Sequence, residues 1–248
     1  MKILLLDIES APNLVTVWGL WNQNVAINQI LDSGYILCWA AKWLGEKKVM
    51  FNSIHRSTPE EMLSEIHGLL DEADAVIHYN GTKFDIPTLN KEFILYGFTP
   101  PASYKQIDLL KTARSQFKFP SNKLDYIAQA LGVGAKKKHI GHELWLQCMN
   151  YDSKAWKMME DYNKHDVVIL EKVYEKLKPW IKGHVNYNLI DSHSNPVCPT
   201  CGSKHYQKRG FHHTSSCTYQ RYQCNGCGTW FRAAQAEKKP VSEKVVGL

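Results

Sequence analysis

The sequence predicts an α/β protein, a mixed sheet flanked by helices, followed by a small cysteine-rich β module near the C-terminal end. Three observations predict it. Apolar strand-like runs crowd the first fifty residues, as antiparallel neighbours do. Beyond them strand-like and helical segments alternate, which places helices on the faces of a sheet. Five cysteines then fall within residues 198–227, whereas Cys38 and Cys148 sit in apolar stretches and read as small buried hydrophobes. At 248 residues and 44% hydrophobic content, the chain can bury one substantial core plus a small module. Only four apolar residues separate Lys2 from Asp7, and no later apolar run approaches about 18–20 residues, so a soluble, cytoplasmic protein is expected.

The elements follow in order. "KILLLDI" is a central strand, and "YILCWAAKWL" with "KKVMFNSI" makes an antiparallel hairpin beside it, turning near Gly45-Glu46. "STPEEMLSEIHGLLDEAD" is a helix with Thr58 as N-cap, Pro59 at the first helical position and Glu61 completing a capping box. Its apolar stripe is Met62, Ile66, Leu69 and Leu70. "AVIHYN" is a short buried strand, "IPTLNKEFILYGF" a helix, "YKQIDLL" a further strand and "KLDYIAQALGV" a short amphipathic helix. Residues 152–178 form one or two longer helices that end before Pro179. A main domain is expected over 1–180, a linker over 181–195, the cysteine module over 196–233 and a flexible tail over 234–248.

Charge is uneven along the chain. The net +6 combines an acidic stretch, residues 1–101 with 7 basic against 12 acidic side chains, with a basic one, residues 102–141 with 8 against 2. Residues 192–236 hold Lys204, Lys208, Arg209, Arg221 and Arg232 and no acid. That pattern suits a protein that holds cations in one place and polyanions in another; solvated surface charge is the alternative.

The first strand ends in Asp7 and Glu9. Alternation puts both on one face, with Ile8 opposite, so two like charges meet where an apolar strand ends. Asp85 follows a buried strand and opens a helix, as a metal ligand or as a simple cap. Tyr162, Asp166, Ile169 and Val173 share a helix face, which places Asp166 in an apolar stripe where an unpaired carboxylate costs on the order of several kcal/mol. Together the four acids suit two hard divalent cations, Mg²⁺ or Mn²⁺, about 3.5–4 Å apart, as phosphodiester cleavage uses them. No Ser-His-Asp set, P-loop or dinucleotide fingerprint competes. "GVGAKK" lacks the phosphate-loop spacing and follows a helix, where Gly132 or Gly134 would serve as the C-cap.

These residues resemble the DEDD superfamily of 3′→5′ exonucleases, which includes the proofreading domains of DNA polymerases. The resemblance lies in Asp7-Ile8-Glu9 at a strand end, Asn80 with Phe84-Asp85, and Tyr162-x3-Asp166 on a late helix. Asp161 stands where the histidine subclass needs His, so the tyrosine subclass is the nearer one. Over about residues 1–180 the resemblance implies a ribonuclease H-like fold. It implies that Asp7 bridges two metals, that Glu9 and Asp166 complete the first metal site, and that Asp85 supports the second. Tyr162 would orient the attacking water, being a poor base at a pKa near ~10. Asn80 and Phe84 would contact the terminal nucleotides, although Phe84 suits core packing equally. Trp18 and Trp21 are candidates for base stacking or for the core. Lys136 and Lys137, with Lys138 and His139, suit backbone phosphates or a solvated loop.

"CPTCGS" and "CNGCGT" are two Cys-x2-Cys knuckles, each followed by glycine. Cys198, Cys201, Cys224 and Cys227 are therefore expected to hold one structural Zn²⁺ as a zinc ribbon, with Cys217 a bystander and His205, His212 and His213 lesser substitutes. Tyr206, Phe211, Tyr219, Tyr222, Trp230 and Phe231 interleave with Lys208, Arg209, Arg221 and Arg232, a mixture suited to nucleic acid, with Arg209 and Arg221 as contacts; a protein partner is the alternative. The expected protein is a metal-dependent 3′→5′ exonuclease, stand-alone and of prokaryotic or phage origin. Single-stranded DNA is favoured as substrate, with RNA or double-stranded DNA ends also open. A structure-selective endonuclease of the same fold and a non-catalytic adaptor are the rivals.

Overall fold

The computed structural model describes residues 1–137, 140–190 and 196–239. Its contacts divide the chain into two compact units, Lys2–Glu175 and the residues from Lys176 on.

The first unit begins with β1 (Ile3–Ser10) and an arm of two short strands, β2 (Leu14–Val15) and β3 (Ile30–Asp32). Then come β4 (Ile36–Trp43), β5 (Met50–Ser53), α1 (Pro59–Glu72), β6 (Ala75–His78), α2 (Asp85–Leu95), β7 (Lys105–Asp108) and α3 (Leu109–Gln116). The unit closes with α4 (Leu124–Ala130), α5 (Glu143–Met149) and α6 (Ser153–Leu177). Strand order is β5-β4-β1-β6-β7; β4 and β5 are antiparallel neighbours on one side of β1, and β6 and β7 are added in parallel on the other. This is the mixed sheet the sequence predicts, with β1 at its centre.

Alternation along β1 divides the core. Leu4, Leu6 and Ile8 pack with Met62, Ile66 and Leu70 of α1 and Leu89 and Phe93 of α2. On the other side of the sheet, Leu37 and Cys38 of β4 pack with Leu144 and Cys148 of α5 and Trp156, Met159 and Tyr162 of α6. Asp7 and Glu9 are register partners of Ala40 and Cys38, so they share that second side with α6. The helix at 59–72 starts as its capping box requires, Glu61 N–H donating to Thr58 Oγ1 at 3.2 Å and Thr58 N–H to Glu61 Oε2 at 2.9 Å. Gly132 ends α4 with φ near 66°. Its N–H donates to Gln129 O and that of Val133 to Ala128 O, the paired bonds of a Schellman motif.

One expectation changes and three open alternatives are decided. The strand read over "YKQIDLL" stops at Asp108, whose carboxylate accepts from Leu110 N–H at 3.0 Å and starts α3. Residues 153–177 are one helix. Trp18 and Trp21 are not core residues: Trp18 is fully exposed, and the arm that carries it also exposes Leu20, Ile27 and Leu31. Phe84, equally read as core, is 44% exposed. Lys138, His139, the linker's residues 191–195 and the tail from 240 lie outside the described residues.

The second unit contains α7 (Tyr187–Ile190) and a three-stranded antiparallel sheet of β8 (Tyr206–His213), β9 (Thr218–Cys224) and β10 (Trp230–Arg232), in the order β10-β9-β8. No helix among the described residues is long and apolar enough to cross a membrane.

Candidate active site

Carboxylate oxygens of Asp7, Glu9 and Asp166 lie within 4.8 Å of one another. Two come from the end of β1 and the third from the face of α6 that packs on it, which is the placement a buried i, i+4 pair with Tyr162 dictates. Asp85 stands just outside that trio. It is the first residue of α2 rather than its cap, and its Oδ1 accepts from Ile8 N–H at 3.2 Å, which ties α2 to β1 between the two acids of the strand.

Neighbouring side chains hold each acid in place. Asn163 Nδ2 donates to Asp7 Oδ2 at 2.7 Å, and Trp145 Nε1 donates to Glu9 Oε2 at 3.2 Å. Lys136 extends its ammonium onto Asp166 Oδ2 and donates to Tyr162 Oη at 3.1 Å. Asp166 Oδ1 is buried with no hydrogen-bond partner among the described residues.

The electrostatics follow from crowding four acids together, Asp85 and Asp166 buried and Asp7 and Glu9 half-buried. Burial first, then the charges of Glu9, Asp85 and Asp166, hold Asp7 well above the usual carboxylate range. Burial pushes Glu9 up to about 8 against the pull of Lys136, and Asp85 up to about 7 against its backbone hydrogen bonds. Asp166 is raised by burial too, with Lys136 drawing it back. Burial opposes the charge of Lys136, yet Asp166, Asp7 and Tyr162 together hold it above the ordinary lysine range. Tyr162, raised by burial and by the charge of Asp166, is a neutral phenol at physiological pH.

In the second unit the sulfurs of Cys198, Cys201, Cys224 and Cys227 lie within 4.8 Å of one another, with Cys198–Cys227 at 3.7 Å and Cys201–Cys224 at 3.6 Å. Glycines in the left-handed region close both knuckles: Gly202 N–H donates to Cys198 O and Gly228 N–H to Cys224 O. Burial raises Cys201 to about 11. At Cys224 burial is outweighed by the amides of Cys227 and Gly226, which bring the thiol down to about 7. Cys217, His205, His212 and His213 are not in the group.

The family model of the RNase H superfamily matches residues 4–178. The chain belongs to the RNase H superfamily. Among solved structures it is similar to the family B DNA polymerase from the hyperthermophilic archaeon Pyrobaculum calidifontis, with a TM-score of 0.55 and 16% identity. That likeness covers 72% of this chain but 24% of the polymerase, and at such identity it concerns the fold. No curated protein matches the sequence.

Around the acids of this RNase H-superfamily unit, the other expected residues are placed unevenly. Asn80 has left-handed φ near 70°, and its N–H donates to Asp108 Oδ1 at 3.0 Å, so the same carboxylate that starts α3 also fixes the turn before Asp85. Phe84 is exposed at the start of α2. Lys137 borders a pocket of about 290 Å³ with Lys154, Lys157 and Tyr162, and pairs with Asp161 at 3.8 Å. Trp18, on its exposed arm, lines neither that pocket nor the one of about 320 Å³ beside Glu9, which Ser10, Pro12, His142 and Trp145 form. Sequence reasoning passed over Asn163, Trp145, Lys154 and Lys157. A signal existed for Asn163, which lies three residues before Asp166 and so near its face of α6; none existed for Trp145.

Proposed function

We propose that the protein is a metal-dependent 3′→5′ exonuclease of single-stranded nucleic acid, DNA before RNA, in the manner of the tyrosine subclass of DEDD enzymes. The observation that carries this reading is the convergence of Asp7, Glu9 and Asp166 within 4.8 Å, with Asp85 bonded to the intervening Ile8 and Tyr162 one helical turn before Asp166. Superfamily membership supports nuclease chemistry, and the similarity to part of a DNA polymerase supports a nucleic-acid substrate.

The residues fit hard divalent cations. The donors are all carboxylate oxygens and, among the described residues, Asp166 Oδ1 is buried without a hydrogen-bond partner and the side chain ion-paired with the cluster is the ammonium of Lys136. Asp7, Glu9, Asp166 and Asp85 would hold two Mg²⁺ or Mn²⁺ ions, which supply Lewis acidity toward water and the phosphate oxygens. The remaining work falls to the chain. Asn163 and Trp145 fix the rotamers of Asp7 and Glu9. The Tyr162 hydroxyl, protonated and held by Lys136, orients the attacking water by hydrogen bonding. Lys137, Lys154 and Lys157 present positive charge to the strand's phosphates, whereas the ammonium of Lys136, expected as a phosphate contact, is engaged by Asp166 and Tyr162. Phe84 and Trp18 offer exposed rings to its bases, and Asn80 shapes the turn that carries Phe84. Cys198, Cys201, Cys224 and Cys227, four thiols in two glycine-closed knuckles, would hold a structural Zn²⁺ in a ribbon over 196–233, distinct from the nuclease domain over 1–180.

The test is digestion of 5′-labelled oligonucleotides with Mg²⁺ or Mn²⁺. A ladder shortening from the 3′ end, abolished in Asp7→Ala and Asp166→Ala, is expected. Early internal fragments would mean an endonuclease, and no release under any metal would leave a binding adaptor.

A further inference from the structure

Pairing within the second unit's sheet sorts its basic and aromatic side chains onto two faces. Residues directly opposite each other share a face. The pairs Tyr206 with Cys224, Lys208 with Tyr222 and Phe231 with Tyr222 therefore define one of them. On it Tyr206, Tyr222 and Phe231 pack on one another with centroids 5.3–5.4 Å apart. These rings also line a groove of about 720 Å³ with Val197 and Leu189, which Arg232 borders at the sheet's edge.

The other face carries Gln207, Gln223 and Trp230 in one row, Arg221 with Arg232 in the next, and His212 with Tyr219 in a third. Arg209 joins them at a bulge, where Arg209 and Gly210 together stand opposite Arg221 and Gly210 takes φ near 68°. Arg221 Nε donates to Arg209 O at 2.9 Å, and the Gln207 side-chain amide, turned so that its oxygen faces Arg209, would accept from that guanidinium. Two guanidinium–ring stacks lie side by side: Arg221 is 4.9 Å from the Trp230 ring centroid and Arg232 is 3.8 Å from that of Tyr219. Arg209, Arg221, Arg232 and Trp230 are all exposed; residues 192–236 contain no acid, Glu237 follows them beside Thr218, and among the described residues none of the three arginines is in an ion pair.

We propose that this face binds single-stranded nucleic acid, with backbone phosphates on Arg209, Arg221 and Arg232 and unstacked bases on Trp230 and Tyr219. The inference rests on the reading of the chain as acting on nucleic acid, and it adds a second contact surface to the acid cluster. Flat rings set between cations, Trp230 exposed and Tyr219 half-buried, recognise the faces of bases, which a duplex keeps inside its stack. Stacking against the rings also holds each guanidinium plane in place before a phosphate arrives.

The test is fluorescence anisotropy of a labelled oligothymidylate with the full, zinc-loaded chain carrying Asp7→Ala, so that the strand survives. Arg221→Ala/Arg232→Ala should weaken binding at least about tenfold and reduce the slope of log affinity against log salt by about 1.4, or about 0.7 for each single-strand phosphate no longer neutralised. Trp230→Ala should weaken it roughly 5- to 150-fold with little change in slope. Lys208→Ala removes one charge from the opposite face and should leave affinity within about twofold. Arg221→Lys/Arg232→Lys keeps the charge, and hence the salt slope, while affinity falls with the planar stacks; unchanged zinc content shows that the module remains folded. Equal losses from Lys208→Ala and Arg232→Ala, undiminished binding by the double alanine variant, or tighter binding of duplex than of single strand would each overturn the proposal. So would polyglutamate competing as well as the oligonucleotide, which would mark an acidic protein partner. The assay reads binding alone, so failure of the nuclease reading would show in the digestion and not here.

Discussion

Replacing Lys136 by methionine would test whether a side-chain cation holds the acid cluster together until metal takes over. The Asp166 side chain is 1% exposed and that of Lys136 29%, so the pair is buried on the acid's side and partly wet on the other. Removing one partner of a buried pair costs about 3–5 kcal/mol. Partial exposure of the ammonium brings that to about 2 kcal/mol, a fall of about 4–8 °C in Tm for a chain of this size. The loss depends on pH, because the carboxylates can escape their repulsion by binding protons: Glu9 stands at about 8 and Asp85 at about 7. It should therefore be nearly full at about pH 8.5 and small at about pH 6. Mg²⁺ should reverse it, since the ammonium and a divalent ion compete for Asp166. Saturating Mg²⁺ is expected to raise the Tm of Lys136→Met by more than it raises that of the parent. Calorimetric melts at the two pH values, with and without Mg²⁺, measure all of this. Equal melting of the two proteins without Mg²⁺ at about pH 8.5 would refute the reasoning, and so would equal gains from Mg²⁺.

Two further outcomes follow from the same geometry. Asp7, Glu9, Asp85 and Asp166 all bind protons more tightly folded than unfolded, so each stabilises the fold below its unfolded value and loses that contribution as pH rises through its folded one. Between about pH 5 and pH 8 the metal-free chain should melt at steadily lower temperature, and saturating Mg²⁺ should flatten the trend; a level metal-free profile would contradict a buried cluster. Gly81→Ala would place a Cβ 2.4 Å from Cγ of the buried His78 ring, so the turn carrying Asn80, Phe84 and Asp85 has to shift. The expected cost is about 1–3 kcal/mol, with hydrolysis reduced and zinc content unchanged, and a variant with the parent's melting and turnover would show that the turn has room.

What was legible in the sequence was chemistry carried by short spacings. Thr58 and Glu61 announce their helix because a capping box is closed within four residues. The two knuckles announce their sulfur cluster because each glycine-closed turn is local. Asp7 and Glu9 could be placed on one face because strand alternation is independent of everything else in the chain. Asp108 shows where this stops. Its "IDLL" context continues a strand by pattern, but its carboxylate accepts from both Leu110 and Asn80, and the second partner lies 28 residues away. The apolar content of residues 14–31 could not be told from core, because exposure depends on what packs against an element and not on what it contains.

The same distinction governs the site. Four carboxylates in a buried setting demand positive charge, and that demand can be read from type and spacing alone. Which cation answers it cannot, since Lys136, Lys137 and Lys138 are equivalent as a run. Folding selects Lys136 for a geometric reason: Gly132 ends α4, Asp125 accepts from Lys136 N–H at 2.8 Å, and His165 on α6 bonds Ala135 O at 2.9 Å. These contacts, made on both sides of one short loop, aim the Lys136 ammonium at Asp166 while Lys137 turns to Asp161. An ammonium so held has one charge against four acids. Protons make up the difference near neutral pH, held by Glu9 up to about 8 and by Asp85 up to about 7, so a divalent metal would bind by displacing them, and more tightly as pH rises.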